Sequence, residues 1–172
     1  YTDIFKVSPQ QMGQITQKAL SRGGDYCDLY FEYTTYFNLL LKDGVVSSGG
    51  FHTDFGVGIR VLKGEKTGYA YSENTEMPDM IKAAKAASAI ALGADGSMNY
   101  TKVSDPGNDF YPTVDSWRDK DADALLPFLT SLEKAITSKD ARIIKVIARL
   151  SDSVSDVMMF NSLGELTFDT RP

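Results

Sequence analysis

The stretch Asp25-Tyr26-Cys27-Asp28-Leu29-Tyr30-Phe31-Glu32-Tyr33-Thr34-Thr35 decides the fold class. Asp28, Tyr30, Glu32 and Thr34 alternate with Leu29, Phe31, Tyr33 and Thr35, the period-two pattern of a strand with one buried face. The pattern carries on to Leu41 and meets Lys42-Asp43-Gly44, where Asp-Gly supplies the positive φ that a short hairpin needs. Val45–Phe51 returns as a second strand, and Gly56–Leu62 forms a third. After the turn Lys63-Gly64-Glu65-Lys66, Thr67–Tyr71 is a fourth. The reading is an antiparallel meander.

Helices flank this sheet. Ser8-Pro9-Gln10-Gln11 reads as a helix start, with Ser8 as N-cap, Pro9 in the first turn and Gln11 closing a capping box. Met12, Ile15, Ala19 and Leu20 follow at helical spacing until Gly23-Gly24. Pro78–Leu92 is a second helix whose alanines let it lie close to a sheet. A Gly, Ser, Asn, Asp and Pro-rich stretch then reads as a linker. Asp119–Ser138 is a third helix with an acidic first turn and Pro127 near its middle, so it is expected to start up to a turn late. Strands are expected at Ala141–Leu150 and Val157–Phe160, with a turn at Asn161-Ser162-Leu163-Gly164 and a returning strand at Glu165–Thr170. The fold class is α+β: a two-layer domain over residues 1–95, a linker over 96–118, and the start of a second α+β unit over 119–172.

Composition narrows the function classes. The 172 residues are 42% hydrophobic and 24% charged, which suits a folded domain and not a disordered one. A net charge of −5 without a basic cluster argues against nucleic-acid binding. No apolar run approaches the ~18 residues a membrane helix needs. A single cysteine, Cys27, excludes an internal disulfide and suggests a reducing, cytoplasmic setting. The first residues are not a signal peptide, and both ends read as cut from something longer.

Catalytic chemistry is hard to build here. His52 is the sole histidine, and zinc sites take three or four ligands, so His52 and the distant Cys27 make none. Cys27 has only Arg22 as a nearby cation and reads as a buried, inert thiol. Asp119-Lys120-Asp121-Ala122-Asp123 starts like a calcium loop, but Ala124 and Thr130 stand where Gly and Glu are required. Ser131-x-x-Lys134 and Lys66-Thr67-Gly68 match two boxes of penicillin-recognising enzymes in reversed order, without the third. Gly56-x-Gly58 lacks the later glycine of a dinucleotide fingerprint and continues as a strand. It marks a bulge or a close approach of another backbone. Asp54, Glu65, Glu73 and Glu76 fall at strand ends and turns, where carboxylates are solvated. No catalytic or metal-binding residue is assigned.

The ordered set of segments resembles the amino-terminal region of the TldD/PmbA family, also described as modulators of DNA gyrase. The resemblance is carried by Ala19–Tyr30, Leu41–Val46, Gly56–Leu62, Thr67–Tyr71, the Ala-rich helix and Asn161–Gly164 with Asp169–Pro172. It implies a metallopeptidase acting on peptides or unstructured proteins, with dimers enclosing the active site as homo- or hetero-oligomers. It implies zinc on a His-Glu-x-x-x-His motif beyond the region matched here. No position in this chain corresponds to that motif, so no cofactor is expected within it. The region would then contribute scaffold, substrate access and dimer contacts. Strands rich in Tyr and Gly offer an edge to which a peptide can add as an extra strand. The residues expected to face a peptide or partner are Gly56, Gly58, Arg60, Tyr69 and Tyr71. The competing readings are a protein-interaction module without hydrolysis and a purely structural domain.

Overall fold

In a computed structural model, the structure describes residues 2–91 and 122–172. The order is α1 (Thr2–Phe5), α2 (Pro9–Leu20), β1 (Tyr26–Lys42), β2 (Val45–Lys63), β3 (Lys66–Ser72), α3 (Met77–Ala91), α4 (Ala122–Thr137), β4 (Ile147–Asn161) and β5 (Leu166–Arg171). The strands form one five-stranded antiparallel sheet in the order β3-β2-β1-β4-β5. This is the α+β, sheet-on-helix class that the alternation predicts.

Local chemistry explains the element ends. Ser8 Oγ accepts from the Gln11 N–H at 3.3 Å, and the Gln11 side chain accepts from the Ser8 N–H at 2.9 Å. Two otherwise unpaired donors of the α2 start are thus satisfied. Asp43 and Gly44 both have positive φ, 49° and 79°, so a two-residue turn joins β1 to β2 with the twist a hairpin requires. Gly64 also has positive φ, and its N–H donates to Asp25 Oδ2 at 2.7 Å, tying the β2–β3 turn to the start of β1.

Two strand expectations need correction. The segments expected at Val45–Phe51 and Gly56–Leu62 are one 19-residue strand, β2, because no turn chemistry separates them and His52, Thr53 and Asp54 stay extended. The strand expected from Ala141 begins only at Ile147 and continues without a break through Val157–Phe160. Residues 141–146 lie outside any strand, with a turn at 141–142: Asp140 accepts from the Arg142 N–H and from the Arg142 guanidinium, and the Ile143 N–H donates to Asp140 O. Asp43 then exchanges two bonds with Val146, fixing where the chain enters β4. The linker expected over 96–118 and the acidic cluster at 119–121 lie outside the described residues.

The chain divides into two compact units that interleave along the sequence. The first takes residues up to Tyr33, then from Asp54, then Asp156–Thr170. Its core joins one sheet face (Cys27, Leu29, Phe31, Val57, Ile59, Val61, Met158, Phe160) to α2 and α3 through Met12, Ile15, Ala19, Met80, Ala84 and Ala87. The second unit includes Thr34–Thr53 and the stretch up to Ser155. There Leu125 and Leu129 of α4 pack on Phe37, Leu39, Leu41 and Ala148.

Candidate functional site

Among the described residues of the first unit the helices cover only one sheet face, and the polar half of the β1 alternation emerges on the other. Asp28, Tyr30 and Glu32 of β1 lie there because Leu29 and Phe31 point into the core. The register of β2 on β3 pairs Gly58 with Tyr71 and Arg60 with Tyr69, while Val57, Ile59 and Val61 turn inward. Tyr69 is 55% exposed and Tyr71 68%. The five residues expected to face a partner are therefore neighbours on one surface: Gly56, Gly58, Tyr69 and Tyr71 line one hollow, and Gly58, Arg60 and Tyr69 an adjoining one.

Each hollow has a volume of about 300 Å³, and the two share Tyr30, Gly58 and Tyr69. The glycines admit close neighbours from β3. A Cβ at Gly58 would lie 3.0 Å from the Tyr69 ring, so the ring could not rest across β2. A Cβ at Gly56 would lie 2.5 Å from Ser72 O, a close backbone approach of the kind expected from the Gly-x-Gly spacing. At Gly58 the approaching group is a ring and not a backbone.

Charge on this face is mostly negative. The larger set of lining residues includes Glu32, Asp54 and Glu73, with no Lys or Arg among them. In the adjoining hollow Arg60 meets Asp28: Nε donates to both carboxylate oxygens at 3.1 and 3.2 Å, and Nη2 donates to Oδ2. Asp28 is buried, whereas about half of the Arg60 side chain remains exposed. Tyr26, on the same strand, has its phenol pKa raised, first by burial and then by Asp28.

Several contributors escape a first reading. Asp28, Tyr30 and Glu32 are implicit in the period-two pattern, which places them on one face. Met159, in the Arg60 hollow, requires strands far apart in sequence to share a sheet, and no local signal reveals that. Asp54 and Glu73, read as ordinary solvated carboxylates, both line the same hollow.

The remaining candidates lie elsewhere. Cys27 is fully buried, and burial, with a smaller push from Asp28, drives its thiol pKa up to about 12. That is the inert thiol expected from the sequence. His52 stacks on Tyr36, ring centroids 4.4 Å apart and 6° from parallel, beside a hollow of about 450 Å³ that includes Asp152. Among the described residues no three His, Cys, Asp or Glu groups come together in a way that could hold a metal. A zinc centre needs at least three such ligands around one point, and the described residues do not fit one.

An antiparallel sheet backed by helices on one face defines a two-layer α+β domain. Residues 27–91 match the family model described as PmbA/TldA metallopeptidase domain 1. Over that span the chain is similar to the N-terminal, domain 1 region of the TldD/PmbA family. It is 29% identical over 168 residues to a metalloprotease TldD homolog of Haemophilus influenzae, covering 96% of this chain and 35% of the relative. A second TldD homolog, from Buchnera aphidicola, is 26% identical over 97% of this chain and 35% of its own length. The fold matches TldE from Thermococcus kodakarensis with a TM-score of 0.70 at 16% identity, over 93% of this chain and 37% of that one. It also matches a candidate DNA gyrase modulator from Thermotoga maritima, with a TM-score of 0.72 at 18% identity over 94% of this chain and 36% of that one. The chain thus spans about a third of the length of the relatives it matches.

Proposed function

We propose that this chain is the substrate-receiving, non-catalytic N-terminal portion of a TldD/PmbA-like zinc metallopeptidase, with peptide hydrolysis performed by a region outside these residues. The curated relatives are named metalloproteases, which supports a peptide substrate. The observation that carries the reading is the face of the first unit that no described helix covers, beside β3, the end strand of the sheet among the described residues. An end strand offers main-chain donors and acceptors to an added peptide, giving affinity that tolerates any sequence. Side chains of such a peptide alternate between the two faces, and every second one would lie beside Tyr69 and Tyr71. Contacts with a homologous subunit, as a homo- or hetero-dimer, and a cytoplasmic setting belong to the same proposal. No helix of the described residues is long and apolar enough to cross a membrane.

The test is photo-crosslinking of an unstructured peptide to the full-length protein, followed by mapping of the labelled residues. Labels are expected within residues 54–73. A bound peptide that makes no contact with residues 25–72 removes the support for substrate reception. Cleavage of the same peptide, abolished by a chelator, is expected of the peptidase; binding without cleavage would favour a protein-interaction module.

A further inference from the structure

We propose that the tyrosine groove on the sheet face that no described helix covers selects peptide segments bearing Lys or Arg. This inference rests on the reading of the face as peptide-receiving and adds the chemical class of side chain it prefers. Three features of the groove carry it.

The first is shape. Gly56 and Gly58 line a hollow of the sheet surface with Tyr30, Tyr69 and Tyr71, and the Tyr69 ring, which lies over Gly58, also lines the adjoining hollow. A depression of about 300 Å³ accepts one long side chain, not a folded ligand. The second is the chemistry of the walls. Tyr30, Tyr69 and Tyr71 present ring faces and edges to whatever enters, and an ammonium or guanidinium over such a ring is attracted by its quadrupole. The aliphatic stem of Lys or Arg also covers apolar ring surface while its charged head stays at the rim.

The third is charge complementarity. Glu32, Asp54 and Glu73 line the groove, and no lining residue is basic. The neighbouring cation, Arg60, is held against Asp28 and its charge is offset there. An acidic side chain would meet the exposed carboxylates of Asp54 and Glu73, and a cationic one would meet opposite charge there. Like-charge contact of this kind discriminates against the wrong ligand as much as opposite charge favours the right one. The rim carboxylates are partly or fully exposed, so the preference is expected to weaken as salt rises.

The experiment uses the full-length protein and three otherwise identical fluorescent Gly/Ser-rich peptides, one with interspersed Lys, one with Glu and one neutral. Binding is read by anisotropy at low and high salt. The Lys peptide is expected to bind about five- to tenfold tighter than the Glu peptide at low salt. In the Asp54→Asn/Glu73→Gln variant that ratio is expected to fall towards one, with the neutral peptide unaffected. A variant with the same charge change in the other unit, Asp123→Asn/Glu133→Gln, is expected to keep it. Equal affinities for the three peptides overturn the inference while leaving peptide reception standing. So does a ratio that falls equally in both double variants, which would reflect the overall charge. Failure of all three peptides to bind overturns the peptide-receiving reading and this inference together.

Discussion

Arg60 and Asp28 share one ion pair but not one environment: the carboxylate is buried on the sheet, and about half of the guanidinium side chain reaches solvent. The pair crosses from β2 to β1 and is made through Nε and Nη2 together, a geometry that fixes the guanidinium plane. The asymmetry has a thermodynamic consequence. Removing Asp28 releases a cation that water already reaches, whereas removing Arg60 strands a buried anion.

Arg60→Ala is therefore expected to destabilise the fold by about 2–3 kcal/mol, and Asp28→Asn by about 1 kcal/mol. Arg60→Lys is expected to fall between them, since an ammonium cannot reproduce the planar two-nitrogen contact. Urea midpoints of the three variants rank them. Equal losses for Arg60→Ala and Asp28→Asn would show that the burial difference carries no weight.

Gly68 and Gly13 should respond in opposite ways to the same added methyl group. At Gly68 on β3 a Cβ would run into the Ala87 carbonyl of α3 and lie 2.8 Å from Ala91 N, all of it backbone that cannot swing aside. Gly68→Ala is expected to cost about 2–4 kcal/mol by forcing α3 off the sheet. Gly13, inside α2, has nothing within 4 Å of its added Cβ, and Gly13→Ala is expected to stabilise by up to about 1 kcal/mol. Thermal melting of the two variants decides it, and a Tm rise for Gly68→Ala would refute the close packing of α3.

The contrast between these glycines also separates local from tertiary control of the fold. The Ala-rich run of α3 announces a helix lying close to a sheet, but which strand residue makes room for it depends on the tertiary contact at Gly68. The β1 alternation, the Asp43-Gly44 turn and the Ser8 capping box are governed by neighbours within a few residues, and each forms where its chemistry points. The start of β4 is not local. The β-branched run Ile143-Ile144-Lys145-Val146 has high strand propensity, yet it lies outside any strand, with its two ends bonded to Asp140 and Asp43. The candidate face is intermediate: Gly56, Gly58, Arg60, Tyr69 and Tyr71 follow from a strand–turn–strand pattern, whereas Asp28 and Met159 join them only through the order of strands in the sheet.

The Asn161 side chain adds to the backbone bonds that close the β4–β5 turn, in which the Asn161 N–H donates to Glu165 O and the Gly164 N–H to Asn161 O. Its Oδ1 accepts from the Leu163 N–H at 3.0 Å and the Glu165 N–H at 3.1 Å, and its Nδ2 donates to Glu165 Oε2 at 2.8 Å. With Gly164 at positive φ, this side chain substitutes for backbone partners the turn lacks. Asn161→Ala is expected to cost about 1–2 kcal/mol and to speed amide exchange at Leu163 and Glu165. Unchanged exchange at those two amides would mean the turn is held by other contacts.

Cys27 supplies a pH test of the core. Burial drives its thiol up to about 12 from an ordinary value of 9.0, with Asp28 pushing the same way. Below the ordinary value both the folded and the unfolded chain keep the proton, and the stabilising contribution is fully present. As pH rises from the ordinary value towards the folded one, the unfolded chain releases its proton while the folded chain retains it. Unfolding is then favoured progressively. Tyr26, also raised by burial, acts in the same direction. The urea midpoint of the wild type is thus expected to drop more steeply between about pH 8 and 10.5 than that of Cys27→Ala, which lacks the thiol. A thiol reagent at neutral pH should modify Cys27 only as fast as the sheet opens, because the thiol is neutral and inaccessible in the folded state. Parallel slopes for wild type and variant, together with rapid native labelling, would show that Cys27 is neither buried nor held protonated.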